Sequence, residues 1–160
     1  MTRLLGLEEA RGLASRWRGE GKRLVLANGC FDLLHVGHVR YLEEARAMGD
    51  ALLVGINSDA SVARLKGAGR PIMTAAERAE IVGALESVDA VVIFDEDTPH
   101  EIITALQPDI LVKGADWAAN AIVGRDVVEA RGGRVVRIPV EDGYSTSSIV
   151  EKIRSVARTE

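Results

Sequence analysis

The sequence predicts an α/β protein, built as one doubly wound, parallel five-stranded sheet with helices on both faces. First, short apolar segments alternate along the chain with amphipathic ones, which is the order of strand–helix–strand units. Second, 47% of the residues are hydrophobic but only 4% are aromatic. Strands rich in Val, Ile, Leu and Ala are typical of parallel sheets that are buried on both faces. Third, 160 residues suit one domain with a substantial core.

Five short apolar segments, bounded by turn-forming or charged residues, are the predicted strands. They are LVLANG (24–29), ALLVGIN (51–57), DAVVIF (89–94), DILVK (109–113) and RVVRIPV (134–140). Ligands of such sheets bind beyond the carboxyl ends of the strands. The residues after each strand are therefore where a site is expected: 28–38, 57–70, 95–98, 113–117 and 141–147.

The segments between the strands have helical spacing. Residues 7–19 form an amphipathic segment that ends at glycines, and 38–48 carries apolar residues on one face. Thr74 and Glu77 have the spacing of a capping box for a helix over 75–85. Further helices are predicted over 59–65, 98–106, 126–131 and 147–157, with a flexible glycine-bearing loop over 65–71. We predict an N-terminal helix within 1–21 and one globular domain over 22–160.

Composition excludes several classes of function. The chain has 20 Lys and Arg against 24 Asp and Glu, a net charge of −4, which argues against nucleic acid as a partner. Cys30 is the only cysteine, so an intrachain disulfide and a thiolate zinc cluster are excluded. The N-terminal segment is interrupted by charges, and no segment has about 20 uninterrupted apolar residues. We expect no membrane span, no signal peptide and a cytoplasmic location.

Two of the three histidines flank one glycine, as His35-Val36-Gly37-His38, just after the first predicted strand. At this composition, chance gives roughly 0.006 such matches, although either histidine alone could be an ordinary surface or core residue. The free amide groups of a helix start favour an anion, so the pair is predicted to bind phosphate. Zinc is disfavoured because the third histidine, His100, has no cysteine partner except Cys30. The dinucleotide and P-loop glycine motifs are absent.

The segment GCFDLLHVGH (29–38) resembles the signature of the nucleotidyltransferase superfamily that carries the His-x-Gly-His motif, a cytidylyltransferase-like, Rossmann-like group. DGYSTSSI (142–149) resembles the Ser/Thr-rich turn that opens the last helix in that superfamily. Taken alone, this turn is a plain helix cap. Together with the histidine motif it predicts a second phosphate site. A narrower resemblance, over about 22–153, is to the ADP-heptose synthase adenylyltransferases. Its particular motifs are LKGAGRP, AER and KGADW.

The resemblance implies transfer of AMP from ATP to D-glycero-β-D-manno-heptose 1-phosphate, giving ADP-heptose and pyrophosphate for lipopolysaccharide core or related glycan synthesis. A sugar phosphate oxygen would attack the α-phosphorus directly, so no general base is needed. Mg²⁺ is expected to bind mainly through the ATP phosphates, with no set of protein ligands. A homodimer is expected. Since relatives are often fused to a sugar kinase and no kinase is present here, a separate heptose kinase is expected to supply the substrate.

The same resemblance assigns roles to individual residues. The expected catalytic residues are His35, His38 and Lys66. The expected nucleotide-binding residues are Asn28, Gly29, Cys30, Phe31, His35, His38, Arg70, Arg78, Lys113, Gly114, Asp116, Trp117, Ser145, Thr146 and Ser147. The expected substrate-binding residues are Asp32, Asn57 and Lys66.

Several of these residues have plainer alternatives. Asp32 could cap its turn, Lys66 and Arg70 could lie on a solvated loop, Arg78 could pair with Glu77 or another carboxylate, and Trp117 could be ordinary packing.

Three alternative functions remain open from sequence. One is a CTP-dependent cytidylyltransferase acting on an alditol phosphate. Cytidylyltransferases carry an arginine just before the Ser/Thr turn, where this chain has Val140, Glu141 and Asp142, which favours the adenylyl branch. The second is a nucleotide-binding regulatory module without catalysis, which the intact motifs argue against. The third is a nucleic-acid binder related to the aminoacyl-tRNA synthetases, which the acidic balance argues against.

Overall fold

The computed structural model describes residues 3–115, 121–139 and 143–159, which form one sheet covered by helices on both faces. Its strands are β1 (Leu4–Leu5), β2 (Leu24–Gly29), β3 (Ala51–Asn57), β4 (Ala90–Phe94), β5 (Ile110–Gly114) and β6 (Arg134–Ile138). Its helices are α1 (Leu7–Gly19), α2 (Val36–Ala47), α3 (Asp59–Lys66), α4 (Ala75–Gly83), α5 (His100–Leu106), α6 (Arg125–Ala130) and α7 (Thr146–Arg158).

All strand pairs are parallel, and the strand order is β1-β4-β3-β2-β5-β6. The chain winds outward from β2 through β3 to β4, then returns to the other side of β2 to form β5 and β6. This reversal places a crevice at the carboxyl ends of β2 and β5, where ligands of doubly wound sheets bind. The predicted fold class is therefore confirmed.

Alternate residues of the central strands pack into two cores. Leu26 and Leu53 face α1 and α5, whereas Val25 and Val54 face α2 and α4. Each of these four side chains is fully buried, and burying one such side chain contributes about 1.5–3 kcal/mol. Burial on both faces explains why the strands are continuous apolar runs rather than alternating ones.

The structure adds a sixth strand to the five predicted. Strand β1 has two residues, Leu4 and Leu5, which pair with Val91 and Val92 at the edge of the sheet. A strand of two residues is too short to have a readable period, so the sequence pattern did not reveal it. The helix that follows, α1, buries Ala10, Ala14 and Trp17 in the core.

The helix starts are set by local capping. Thr74 Oγ1 accepts from the Glu77 amide at 3.2 Å, and Glu77 Oε2 accepts from the Thr74 amide at 2.9 Å, which confirms the predicted capping box. Helix α2 begins at Val36, two residues earlier than predicted, with His35 as its N-cap. The motif histidines therefore occupy the cap and the third helical position. Within the described ranges, no helix is long and apolar enough to cross a membrane.

Candidate active site

A cleft of about 690 Å³ lies over the carboxyl ends of β2, β3 and β5, beside the N-termini of α2 and α7. It brings together most of the residues predicted for the site. They are Asn28, Gly29, Cys30, Phe31, Asp32, His35, His38, Asn57, Lys66, Arg70, Lys113, Gly114, Ser145, Thr146 and Ser147. Asp116 and Trp117 lie outside the described residues. Arg78 does not line the cleft.

The two motif histidines are stacked at the start of α2. Their ring centroids are 3.8 Å apart with an interplanar angle of 23°. The His35 backbone N–H donates to His38 Nδ1 at 3.2 Å. Because Nδ1 accepts, a neutral His38 carries its proton on Nε2. Helix geometry thus leaves a donor nitrogen on His38 for a ligand.

Burial disfavours the charged form of both imidazoles. It lowers the pKa of His38 to about 4, with a smaller contribution from His35, and it also lowers the pKa of His35. His35 Nδ1 is buried, and no hydrogen-bond partner reaches it among the described residues. An unsatisfied buried polar atom costs about 1–3 kcal/mol.

The space around Gly37 is too small for a side chain in this arrangement of its neighbours. A Cβ at this position would lie 2.9 Å from His35 Cε1, 3.0 Å from His35 Nδ1 and 3.1 Å from Tyr144 Cβ. Each distance is shorter than a normal carbon contact. The glycine between the histidines therefore lets the His35 ring fold back against α2 and lets the segment before α7 approach.

The N-terminus of α7 is joined directly to the turn after β2. Thr146 Oγ1 donates to the Asp32 carbonyl at 2.5 Å. Ser145 Oγ accepts from the Ser148 amide at 3.0 Å, so Ser145 is a helix cap. Ser147 is exposed at the cleft. The starts of two helices, each with outward amides that favour an anion, thus border one cavity.

The turn that carries Asp32 has an unusual backbone. Phe31 and Leu33 have φ angles of 50° and 52°, a left-handed conformation that is costly for residues other than glycine. Asp32 Oδ2 accepts from the Ile72 amide at 2.8 Å, and its Oδ1 accepts from the Met73 amide at 3.0 Å. Both oxygens of this buried carboxylate are occupied in holding the segment before α4. Asp32 therefore has a structural task, but it anchors the segment before α4 instead of capping its own turn.

Arg78 lies beneath the site rather than in it. Its side chain has no exposed surface, and its guanidinium donates to the Cys30 carbonyl at 2.6 Å, the Met73 carbonyl at 3.0 Å and Asp59 Oδ1 at 2.9 Å. The phosphate contact predicted for Arg78 is thus replaced here by a network that ties three chain segments. Its carboxylate partner is Asp59, not Glu77. Asp59 was missed because no local pattern pairs residues 19 apart.

The cations at the cleft come from different elements. Lys66, the exposed last residue of α3, and half-buried Arg70 stand on the side of β3. Lys113 enters from the end of β5. Arg70 also lies 3.8 Å from Asp32. Burial is the main cause that raises the pKa of the Cys30 thiol, so the thiol is protonated at neutral pH and is a poor nucleophile.

Two of the acidic side chains at the cleft are already engaged by other groups of the protein. No group of three or more His, Cys, Asp or Glu side chains with metal-binding geometry occurs in the part of the chain that the structure describes. Among the described residues, three carboxylates line the cleft, Asp32, Glu44 and Asp97. Asp32 binds two amides, and Asp97 pairs with Arg64 at 2.7 Å. Mg²⁺ commonly binds through substrate phosphates and water with few protein ligands.

Fold and site together define an α/β protein with a cleft bordered by the His-x-Gly-His turn and by a second helix start. The profile of the cytidylyltransferase-like family matches residues 26–155. The chain belongs to the cytidylyltransferase-like family.

Comparison with curated proteins finds relatives named bifunctional protein HldE. The one from Geotalea uraniireducens is 56% identical over 153 residues, which cover 96% of this chain and 31% of the relative. The one from Citrifermentans bemidjiense is 60% identical over 141 residues, covering 88% of this chain and 29% of the relative. The chain thus spans about a third of the length of these relatives.

Two solved structures have a similar fold. The lipopolysaccharide core biosynthesis protein from Thermoplasma volcanium has a TM-score of 0.62 and 29% identity, and the match covers 78% of this chain and all of that one. Pantoate-beta-alanine ligase from Francisella tularensis has a TM-score of 0.64 at 10% identity, and the match covers all of this chain and 80% of the ligase. At that identity the second likeness concerns the fold alone.

Proposed function

We propose that this protein is an adenylyltransferase that transfers AMP from ATP to D-glycero-β-D-manno-heptose 1-phosphate, giving ADP-heptose and pyrophosphate. The observation that carries the proposal is the hydrogen bond that Thr146 Oγ1 donates to the Asp32 carbonyl, 2.5 Å long. It brings the N-terminus of α7 to the turn that leads into the histidine pair. One triphosphate can therefore contact both helix starts.

The chemistry needs alignment and neutralisation of charge more than proton transfer. The sugar phosphate oxygen is already anionic near neutral pH, so it attacks the α-phosphorus without a general base. His38 donates from Nε2 to the α- and β-phosphates, since its Nδ1 is occupied by the His35 amide. Lys66 and Arg70 attract the sugar phosphate and oppose the charge that develops in the transition state.

The remaining nucleotide contacts follow from position. The exposed hydroxyl of Ser147 and the first amides of α7 hold the terminal phosphates. Gly29, Cys30 and Phe31 contact ATP through the backbone, and Lys113 and Gly114 contact it from the end of β5. Mg²⁺, held by phosphate oxygens and water, supplies additional neutralisation of the triphosphate charge when it is bound.

The similarity to HldE proteins over 88–96% of this chain supports the heptose substrate. So does the likeness to a protein described as a lipopolysaccharide core biosynthesis protein. A cytidylyltransferase acting on an alditol phosphate uses the same phosphate geometry, so the nucleotide and the acceptor must be tested together.

The test is a substrate panel with pyrophosphate release as the readout. The protein is incubated with Mg²⁺, each of ATP and CTP, and heptose 1-phosphate or glycerol 3-phosphate. We expect release only with ATP and heptose 1-phosphate, and ADP-heptose in the ³¹P spectrum. Release with CTP and glycerol phosphate alone would establish the cytidylyl alternative, and ATP binding without turnover on any acceptor would establish a regulatory module.

Two further proposals concern the partners of this protein. A kinase reaction must supply the sugar phosphate, and we propose that a separate heptose kinase does so in the cytoplasm. We also propose a homodimer, which sedimentation of the purified chain would test: a monomer at micromolar concentration would contradict it.

A further inference from the structure

The cleft has two halves that are separated by β2. The residues assigned to the triphosphate come from α2, β5 and α7, on one side. The other side is formed by the end of β3, by α3 and by the segment after β4. Its lining includes Asn57, Val62, Leu65, Lys66 and Thr98, and nothing in the proposed triphosphate contacts uses these residues apart from Lys66.

Asn57, at the end of β3, presents a fixed acceptor to this second half. The residue is only 4% exposed. Its Nδ2 donates to Ser61 Oγ at 3.0 Å, and Ser61 Oγ donates its own hydrogen to the Glu96 carbonyl at 3.1 Å. Because the Ser61 hydroxyl has already donated, the amide group facing it must be the donor –NH₂. Asn57 Oδ1 is therefore the atom directed away from Ser61, on a side chain that lines the cleft.

Asn28, at the end of β2, offers a second acceptor nearby. Its Oδ1 is buried and has no hydrogen-bond partner among the described residues. Asn28 pairs in register with Gly55, and Asn57 lies two residues beyond Gly55, so both amides are on the same face of the sheet. Gly55 adds no side chain beside them: a Cβ there would lie 3.5 Å from Asn28 Cβ and 2.5 Å from Ile102 Cδ1.

The chemistry of the pair selects its ligand. Two carbonyl oxygens accept hydrogen bonds, and a phosphate that is ionised near neutral pH has few protons to donate, whereas a sugar hydroxyl always has one. The cations on this half, Lys66 and Arg70, suit the phosphate of the same molecule. An unpaired buried acceptor also penalises any ligand that lacks the matching donor.

We propose that Asn28 and Asn57 form a hydroxyl-reading subsite for the sugar of the acceptor substrate, which discriminates against sugars that lack a matching hydroxyl. The inference depends on the proposed function and names the part of the cleft that determines its acceptor. It reassigns Asn28, which the sequence placed with the nucleotide, to the sugar.

The experiment measures kcat/KM for heptose 1-phosphate and for a set of its monodeoxy analogues, with ATP saturating, in wild type and Asn28→Ala. Loss of one hydrogen bond to a hydroxyl predicts a decrease of about 3- to 10-fold in kcat/KM for the parent sugar. Wild type and Asn28→Ala should use one monodeoxy analogue equally well. That analogue lacks the hydroxyl that Asn28 binds, so removing the Asn28 acceptor costs it nothing. The KM for ATP should be unchanged. Thr104→Val, on α5 outside the cleft, is the control and should match wild type throughout.

The outcomes separate the inference from the proposed function. No turnover of any sugar phosphate by wild type would overturn both. Turnover by wild type, with Asn28→Ala raising the KM for ATP instead of that for the sugar, would overturn the subsite and assign Asn28 to the ribose. If Asn28→Ala fails to fold, the kinetics of wild type with the monodeoxy analogues are sufficient for the test. Equal kcat/KM for the parent sugar and for every monodeoxy sugar would contradict a hydroxyl-reading subsite.

Discussion

Because Gly37 has no side chain, the His35 ring can lie against the start of α2. Any Cβ at this position meets the His35 ring and Tyr144 Cβ at about 3 Å. The ring is the movable end of a flexible side chain, so a substitution there can be relieved by rotating His35 out of the stack with His38. The motif glycine thus serves the geometry of the imidazoles as well as the approach of a ligand.

We predict that Gly37→Ala reduces kcat by about 10- to 100-fold, which is a fraction of the loss typical for removing one preorganised donor. The free energy of unfolding should change by less than about 1 kcal/mol, since alanine is the better helix former. Steady-state kinetics and urea unfolding measure the two quantities. The matched control is Gly12→Ala in α1, where an added Cβ has no neighbour within 4 Å. Equal kinetics for both variants would contradict the steric role of Gly37.

The lowered pKa of His38 predicts a pH-dependent stability. The pKa is about 4 in the folded protein, from an ordinary value of 6.5, so folding favours the neutral ring. The resulting stability is fully present above pH 6.5 and is lost as the pH falls from 6.5 to 4. After discounting for partial exposure we expect a loss of about 2 kcal/mol.

Urea unfolding of wild type and His38→Asn between pH 4 and pH 6.5 tests this prediction. Asparagine keeps an acceptor for the His35 amide but does not titrate, so the variant should lose about 2 kcal/mol less than wild type over this range. Parallel curves for the two proteins would show that the ring is not held in the neutral form by folding.

At the scale of elements, the segment between α3 and α4 is held to the turn after β2 by two buried side chains. Asp32 binds the amides of Ile72 and Met73, and Arg78 binds the carbonyls of Cys30 and Met73. The segment carries Arg70 into the cleft. These contacts explain how a turn with two left-handed residues, Phe31 and Leu33, keeps one conformation.

Asp32→Asn should loosen this segment, because one amide loses its carboxylate acceptor. Hydrogen exchange at Ile72 and Met73 should become about 10-fold faster, corresponding to roughly 1.4 kcal/mol of local stability. Asp109→Asn is the control, since Asp109 Oδ2 accepts from the Leu24 amide at 2.8 Å in the same kind of bond. The control should leave exchange at residues 72–73 unchanged, and equal acceleration in both variants would refute a local clamp.

Arg78→Met should destabilise the protein by about 2–3 kcal/mol, because it leaves the Cys30 and Met73 carbonyls without a buried donor. Urea unfolding measures the loss, and Arg11→Met gives the comparison. Arg11 pairs with Glu8 on the exposed surface of α1 at 3.2 Å, so its removal should cost less than about 0.5 kcal/mol. A loss below 1 kcal/mol for Arg78→Met would show that the network is not a structural anchor.

Most elements could be predicted from the sequence because their signals are local. Four of the five longer strands, β2 to β5, begin with continuous apolar runs, and Thr74 with Glu77 marks a helix start within four residues. The tasks of Arg78 and Asp32 could not be predicted in the same way. Apart from the bond between Arg78 and Met73, five residues apart, their bonds join residues that are 19 to 48 positions apart, and only the fold brings these together.

Across the whole molecule, the amino-terminal and carboxyl-terminal ends of the strands have different roles. At the amino-terminal ends of the strands, Asp50, Asp89 and Asp109 each accept, at 2.8 Å, from a backbone amide at or next to the start of a neighbouring strand, which fixes strand ends. At the carboxyl-terminal ends, β2, β3 and β5 finish at Gly29, Asn57 and Gly114, which line the cleft. The position of the site could be predicted from this topology. The division that we propose, into a triphosphate half and a sugar half, could not be predicted, because it depends on which side-chain atoms are already paired in the folded protein.

We propose that the starts of α2 and α7 hold one triphosphate between them, and a crystal structure of the protein with Mg²⁺ and α,β-methylene ATP is the decisive measurement. We expect the α- or β-phosphate within about 3.2 Å of His38 Nε2 and the terminal phosphates at the first amides and hydroxyls of α7. A triphosphate bound at only one of these helix starts, or outside the cleft, would refute this shared binding.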